Sequence, residues 1–241
     1  MAGGMVLVAA GLAFEAAIAA GDGVRVVCGQ GTVLAARLQA QLGAPRRAEP
    51  GGLPCAGLVS FGTAGGLVDG LRPGDWIVAR AVRHGGAVPS GRSRYQAVPC
   101  DEAWSLALLR ALPRAVHADI AGVSAPVAAA AGKRALHAAT GAQAADMESQ
   151  IVAAAALAHG LPFVCCRVIV DPVERDLPPA ALAGSRPDGS VDLPAVLRSL
   201  LRNPKQLPAL LAVARDANRA RQALKAGRRA IGQGFDGMAG S

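Results

Sequence analysis

The sequence predicts an α/β fold, a three-layer α/β/α sandwich with a mixed, mostly parallel central sheet. Short apolar runs, typical of strands buried on both faces, alternate along the chain with segments that favour helices. Glycine-rich turns follow several of these runs. In such folds ligands bind where the strands end, so these turns are candidates for a functional site.

Each element is predicted from its local pattern. Mainly apolar segments of strand length predict strands over residues 5–10, 24–28, 57–61, 76–82, 117–123 and 163–170. Alanine- and leucine-rich segments predict helices over residues 14–20, 32–42, 102–112 and 146–159, and a helical pattern from 192 onward with breaks at Pro204 and Pro208. Glycine and proline predict irregular loops over residues 45–54 and 83–99 and a turn over residues 62–66.

Composition excludes several classes of protein. Hydrophobic residues make up 52% of the 241 residues and charged ones 17%, which is too apolar for intrinsic disorder. No run of roughly 18 uncharged apolar residues predicts a membrane-spanning helix. The five cysteines form no CxxC pair, so neither a disulfide framework nor a zinc site is expected. We expect a cytoplasmic protein that binds no metal.

The net charge of +8 is concentrated near the C-terminus. The segment 198–229 contains nine bases and one acid, and the rest of the chain is neutral. This distribution weighs against a nucleic-acid partner. An apolar stripe, which begins at Leu207 and ends by Ala214, predicts that the first half of the last helix docks on the body. The second half is then either solvated or in contact with anionic lipid.

Four segments carry a resemblance to a known family. Gly62-Thr63-Ala64-Gly65-Gly66 precedes a Pro73-Gly74-Asp75 turn, and both are followed by Ala145-Asp146-Met147-Glu148-Ser149 and Arg167-Val168-Ile169-Val170-Asp171. In this order the segments resemble the purine nucleoside phosphorylase and nucleosidase superfamily. Glu15 stands where the nucleosidase branch has a carboxylate after the first strand.

A finer resemblance involves the C-terminal part. The segments 171–182 and 200–210 resemble hopanoid-associated nucleosidases, which release adenine from adenosylhopane. The resemblance implies a catalytic domain over residues 1–190 and a basic helical extension over 191–241. It also implies a nucleoside substrate with an apolar 5′ substituent, and a homodimer or higher homo-oligomer. We expect no cofactor, and the extension is a candidate for peripheral membrane contact through 198–229.

The resemblance assigns roles to residues. Asp171 matches the acid at purine N7, and Glu15 matches the residue that activates water. Glu148 matches the acceptor of ribose hydroxyls and Met147 packs against the sugar, while Thr63, Ala64 and Gly65 serve sugar and nucleophile through backbone groups. The reaction needs such residues for two reasons. The purine is a poor leaving group, so it needs a proton from an acid, and the sugar becomes cationic, so it needs a nearby negative charge and a nucleophile.

The sequence leaves open which nucleophile and which substrate are used. Phosphorylases of the superfamily carry an arginine before the glycine of the third strand end, where this chain has Ser60-Phe61, so hydrolysis is favoured. Arg80, Arg83 and Arg92 keep phosphate open as a co-substrate. The other readings are a methylthioadenosine/S-adenosylhomocysteine nucleosidase and a non-catalytic nucleoside-binding protein.

Overall fold

The computed structural model describes residues 4–43, 54–85, 95–184, 186–232 and 235. These residues form eight strands: β1 Met5–Ala10, β2 Val24–Cys28, β3 Cys55–Gly66, β4 Trp76–Gly85, β5 Tyr95–Pro99, β6 Val116–Gly122, β7 Ala144–Asp146 and β8 Phe163–Asp171. They also form helices α1 Ala13–Ala19, α2 Gly31–Gly43, α3 Glu102–Ala111, α4 Ala130–Thr140, α5 Ser149–His159, α6 Pro179–Leu182, α7 Leu193–Arg202 and α8 Leu207–Ile231. A 3-10 turn, Pro204–Gln206, joins the last two helices.

The strands form one mixed sheet in the order β2-β1-β3-β7-β6-β4-β5, with β8 paired to both β3 and β4. Five of the pairings between described strands are parallel, and β3–β7, β4–β5 and β4–β8 are antiparallel. The predicted mixed, mostly parallel sheet is therefore confirmed.

Helices cover both faces of the sheet, because alternate strand residues enter two separate cores. Leu7 of β1 packs on the side of α2 and α5, whereas its neighbour Val8 packs on the side of α1, α3 and α8. Cys165 and Cys166 of β8 divide in the same way. Strands buried on both faces appear in the sequence as continuous apolar runs, which is why they were predictable.

Several predicted boundaries are wrong. The glycine-rich segment Gly62–Gly66 is not a turn after β3 but its second half. Residues 83–99 are not one irregular loop, because β4 continues to Gly85 and β5 pairs antiparallel with it. Residues 86–94 and most of the predicted loop 45–54 lie outside the described residues. Asp146 ends β7 instead of opening a helix, and α5 begins at Ser149.

The last helix docks by its second half, which was predicted to be either solvated or in contact with lipid. In α8 the buried side chains are concentrated near the C-terminal end, where Ala220, Leu224 and Ile231 enter the core beneath β8. Leu207 and Leu211, in the half predicted to dock, are exposed. Pro208 does not break the helix but lies in its first turn, where proline is tolerated. Within the described residues, no helix is long and apolar enough to cross a membrane.

Candidate functional site

The candidate site lies at the carboxyl ends of β1, β3 and β8, which run parallel and therefore end at one edge of the sheet. The β3–β8 register shifts between Ala64 and Gly65, so that Gly65 is paired with Asp171. Such bulges commonly re-aim side chains beside active sites. The short strand β7 pairs with Gly65 and Gly66 and brings Asp146 to the same edge.

Glu15 is a buried carboxylate that joins α1 to β3. Its Oε2 accepts hydrogen bonds from the backbone N–H groups of Gly11, at 3.1 Å, and Leu12, at 3.0 Å. Its Oε1 accepts from the backbone N–H of Thr63 at 2.8 Å and from the Thr63 hydroxyl at 2.7 Å. The sequence folds this way because Glu15, in the first turn of α1, caps the free N–H groups that precede the helix.

Arg167 of β8 is the centre of a buried ionic network. Its Nε lies 2.6 Å from Asp146 Oδ2, and its Nη1 lies 3.3 Å from Glu148 Oε2. Its Nη2 donates to the Ser60 hydroxyl at 2.6 Å. Burial alone would lower the pKa of Arg167, but the charges of nearby groups, those of Asp146 and Glu148 first, outweigh it and raise the pKa above its ordinary value, so the guanidinium stays charged.

Two glycines give these side chains the space they occupy. A Cβ on Gly62, whose φ is 154°, would lie 2.6 Å from Glu15 Oε2 and 2.7 Å from Arg167 Nη1. A Cβ on Gly11 would lie 2.5 Å from Glu148 Oε1. Because Glu15 also binds the N–H of Gly11, the carboxylates of Glu15 and Glu148 both lie beside this residue.

The carboxyl groups of this cluster are easier to protonate than free glutamates. Burial, with a smaller contribution from the charges of Asp146 and Glu15, raises the pKa of Glu148 to about 8 against the opposing effect of Arg167. Burial also raises the pKa of Glu15, while Arg167 and the hydrogen bonds from Thr63 and Leu12 act in the opposite direction. A glutamate whose pKa is raised toward neutrality is better suited to general-base chemistry than an ordinary one.

Asp171 forms a second buried ionic group, with Lys133, beside Gly65 of β3. Its Oδ2 accepts a hydrogen bond from Lys133 of α4, whose side chain is 1% exposed. The Lys133 ammonium also donates to the carbonyl oxygens of Pro172 and Arg175, each at 2.9 Å. Burial raises the pKa of Asp171, and Lys133 acts in the opposite direction. A Cβ on Gly65 would lie 3.2 Å from Asp171 Oδ1, so the carboxyl group lies close against β3.

The structure brings most of the predicted site residues together. Glu15, Thr63 and Glu148 belong to the cluster around Arg167, and Asp171 lies against Gly65, two residues further along β3 than Thr63. Met147 is half-buried, between the buried Asp146 and Glu148. The Ala64 methyl packs into the core, so only the backbone of Ala64 can face a ligand.

The sequence analysis did not identify Lys133 or Ser60 as site residues, nor Arg167 as the partner of the buried carboxyl groups. Lys133 lies in α4, a helix that the prediction did not include, and nothing in its local pattern sets it apart from a surface lysine. Arg167 was visible as a charge within an otherwise apolar strand, which is a signal for a buried ion pair. Of the proposed phosphate ligands, Arg80 and Arg83 pair with Asp119, at 3.3 and 2.6 Å, and Arg92 lies outside the described residues.

No group of three or more histidine, cysteine, aspartate or glutamate side chains in the described part of the chain is arranged to hold a metal ion. The cations that stand at the site are instead Arg167 and Lys133, both buried.

The raised pKa of Glu148 predicts a stability that falls as pH rises. Between the unfolded pKa of 4.5 and the folded pKa of about 8, the folded state holds more protons than the unfolded state. The free energy of unfolding should therefore decrease with pH in this window, by at most about 1.4 kcal/mol per pH unit. Glu148→Gln should flatten this slope in urea unfolding measured from pH 5 to about 8. The exposed Glu102→Gln should keep it, and a Glu148→Gln slope equal to that of the wild type would contradict the assignment.

The chain belongs to the phosphorylase superfamily, whose family model matches residues 10–202. This confirms the superfamily resemblance and places the chain among enzymes of the purine nucleosidase and phosphorylase type. No curated protein sequence matches the chain.

Solved structures share the fold at low sequence identity. The S-adenosylhomocysteine nucleosidase from Streptococcus pyogenes is 16% identical, with a TM-score of 0.59 over 94% of this chain and 97% of that one. The methylthioadenosine/S-adenosylhomocysteine nucleosidase from Colwellia psychrerythraea, solved with adenine, is 18% identical, with a TM-score of 0.61 over 83% and 95%. The futalosine hydrolase of Helicobacter pylori is 14% identical, with a TM-score of 0.59 over 93% and 97%.

Proposed function

We propose that this protein hydrolyses the N-glycosidic bond of a 5′-substituted adenosine and releases adenine. The observation that carries the proposal is the placement of two buried carboxyl groups along β3, with Glu15 on Thr63 and Asp171 beside Gly65. Thr63 and Gly65 are about 7 Å apart along the strand, so the two carboxyl groups contact different positions of β3. Inverting glycoside hydrolysis likewise uses two carboxyl groups, one as the acid at the leaving group and one as the base for water.

Asp171 and Glu15 carry out the two proton transfers of the reaction. Asp171 gives a proton to purine N7 as the glycosidic bond breaks and its electron pair goes to the purine. Glu15 accepts a proton from the water whose oxygen bonds to the anomeric carbon. The products are adenine and a sugar with a free anomeric hydroxyl, and a proton returns from Glu15 to Asp171 through solvent. The Lys133 ammonium, hydrogen-bonded to Asp171, holds that carboxyl group in place.

Glu148 and Met147 belong to the sugar side of the site. The carboxyl group of Glu148 accepts hydrogen bonds from ribose hydroxyls and, when ionised, stabilises together with Glu15 the positive charge that develops on the ribose as the bond breaks. Arg167 keeps Glu148 in position and is itself occupied by Asp146, so it is not free to bind a substrate anion.

Water is the better supported nucleophile. Glu15 is already held beside the strand that carries the site, and the candidate phosphate ligands Arg80 and Arg83 are paired with Asp119. Phosphorolysis of the same bond is the alternative, with phosphate as co-substrate. The names of the structural neighbours, nucleosidases for methylthioadenosine and S-adenosylhomocysteine, agree with cleavage at an adenosine derivative.

The 5′ substituent that we propose is apolar, as in adenosylhopane, which would place the enzyme in hopanoid biosynthesis. The resemblance of segments 171–182 and 200–210 to hopanoid-associated nucleosidases supports this choice. The second candidate substrate is methylthioadenosine or S-adenosylhomocysteine. We further propose a cytoplasmic homo-oligomer in which residues 1–190 form the catalytic domain and 191–241 a basic helical extension, with peripheral membrane contact within 198–229.

The test compares adenosines that carry a methylthio, a homocysteinyl or a long alkyl group at C5′, each with and without phosphate. We expect free adenine and a free sugar in both conditions, with the alkyl substrate turned over fastest. Glu15→Gln should lower the rate by about 10²-fold or more. The exposed Glu174→Gln is the matched control and should leave it unchanged. Dependence of adenine release on phosphate, with a sugar 1-phosphate formed in place of the free sugar, would contradict hydrolysis.

A further inference from the structure

We propose that α7 and the start of α8 form a surface that docks on an anionic lipid bilayer. We name the leucine surface after its five residues, Leu193, Leu197, Leu201, Leu207 and Leu211. These residues are 65%, 59%, 83%, 47% and 54% exposed, respectively. Single exposed leucines are ordinary, whereas a continuous row marks an interaction site.

The row on α7 follows helical spacing. Leu193, Leu197 and Leu201 recur every four residues, so they form one stripe along the helix. None of the ten residues of α7 is buried. A flank of the helix faces the molecule, because a Cβ on Gly184 would lie 2.9 Å from the half-buried Val196. The leucine stripe is therefore the outer face of an attached helix.

Basic residues flank the leucine surface. Arg198 and Arg202 each follow a leucine of the stripe by one residue, and Lys205 and Arg215 lie near the leucines of α8. All four are exposed, and the sequence from 193 to 215 contains no acid. A helix with this pattern, leucines on one side and bases at its flank, lies in the boundary between headgroups and acyl chains of an anionic membrane.

The same charges argue against a second copy of the chain as the occupant. In a symmetric dimer through the leucine surface, each copy would bring four bases against four bases of its partner. Juxtaposed like charges oppose association. An anionic lipid surface supplies both the apolar layer for the leucines and the negative charge for the arginines.

The structure narrows the expected membrane segment. Residues 198–229 were predicted to carry it, but the described structure buries Asp216, Ala220, Leu224 and Arg228 of α8 against the body. Arg228 donates to the carbonyl oxygen of Ala19 at 3.0 Å and is not available to lipid. The docking segment therefore ends near Arg215.

The leucine surface adjoins the rim of the candidate site. Residues 186–190, just before α7, lie over the end of β1, where Gly189 O accepts a hydrogen bond from Ala13 N at 3.0 Å. A Cβ on Gly189 would lie 2.6 Å from the carbonyl oxygen of Gly11, the residue beside Glu15 and Glu148. A nucleoside with an apolar 5′ substituent can thus approach from the lipid side. The idea that docking gives the substrate access to the site rests on the proposed function, whereas docking itself does not.

The test is co-sedimentation without substrate, using vesicles of phosphatidylcholine alone and of phosphatidylcholine mixed with phosphatidylglycerol. The wild type should bind the anionic vesicles and release at high salt. The double substitution Leu197→Ser with Leu201→Ser should lower the partition coefficient by about tenfold or more, as should Arg198→Gln with Arg202→Gln. Leu157→Ser is the matched control, because Leu157 is 72% exposed on α5, away from this surface.

The outcomes separate docking from the proposed activity. Docking is overturned by a wild type that binds no anionic vesicles, by serine variants that bind as the wild type does, or by a wild-type dimer that the serine variants convert to monomers. Binding that the serine variants lose supports docking even if no adenosine derivative is cleaved. In that case only the proposed function fails.

Discussion

Asp171→Asn is expected to lower the rate of adenine release by about 10³-fold, because an amide cannot supply the proton that purine N7 needs as it leaves. The side chain keeps an oxygen for Lys133, so the position of the loop after β8 should be preserved. The measurement is the rate of adenine formation from the best 5′-substituted adenosine, with circular dichroism to verify the fold. Asp69→Asn, at an exposed position, should retain full activity.

A substrate with a different leaving group makes this prediction specific. The p-nitrophenolate group leaves without being protonated, so a p-nitrophenyl riboside does not need an acid. Asp171→Asn should therefore lose most of its activity on the adenosine derivative and retain it on the riboside. Equal losses on both substrates would show that Asp171 acts on the structure of the site and not as the acid.

Arg167→Met is expected to destabilise the protein by about 3–5 kcal/mol, because it leaves buried carboxylates without their partner. The guanidinium is fully buried and contacts Asp146, Glu148 and Ser60. Methionine fills a similar volume but can satisfy none of these groups. The measurement is the free energy of unfolding in urea.

Two further variants interpret the result. Arg134→Met removes an exposed ion pair with Asp69, at 3.4 Å, and should cost at most about 1 kcal/mol. If Arg167→Met does not fold, Arg167→Lys keeps one charge in the network and should recover part of the stability. An Arg167→Met protein within about 1 kcal/mol of the wild type would mean that the network adds little to the fold.

The fold could be predicted because its strands are buried on both faces. β1 is a continuous apolar run and β8 is apolar except for Arg167 and its last residue, Asp171, so the positions of both strands follow directly from the sequence. β5 and β7 could not be recognised in this way. β7 has three residues, and β5 has the exposed Gln96 and Ala97 among its five, so neither carries an apolar run.

The candidate site was predictable where a motif stands in sequence and not where tertiary contacts create it. Glu15, Glu148 and Asp171 belong to segments that resemble a family. Lys133 reaches Asp171 from a helix that precedes it by 38 residues, and no local pattern announces this contact. The structure alone shows that the acid has a buried cationic partner.

The error in α8 has a physical cause. The apolar stripe near Leu207 is real, but the leucines face away from the body, and docking uses the small side chains and the aliphatic parts further along the helix. Ala220 and Gly227 let the helix approach closely, and a Cβ on Gly227 would lie 2.3 Å from the Trp76 ring. The basic composition of this half indicated a solvated helix. Arg228 is nevertheless buried, because its guanidinium donates to backbone carbonyl oxygens.

The contact between Arg175 and Asp216 ties the loop after β8 to the last helix. The Arg175 Nη1 lies 2.5 Å from Asp216 Oδ2, and the carbonyl oxygen of the same arginine receives Lys133, the partner of Asp171. A ribosome delivers residue 216 well after the sheet has been synthesised, and parts of a chain fold in the order in which they emerge. The surroundings of Asp171 in a nascent chain therefore reach their final arrangement only after residue 216 has emerged, and a chain that terminates before Asp216 lacks this contact.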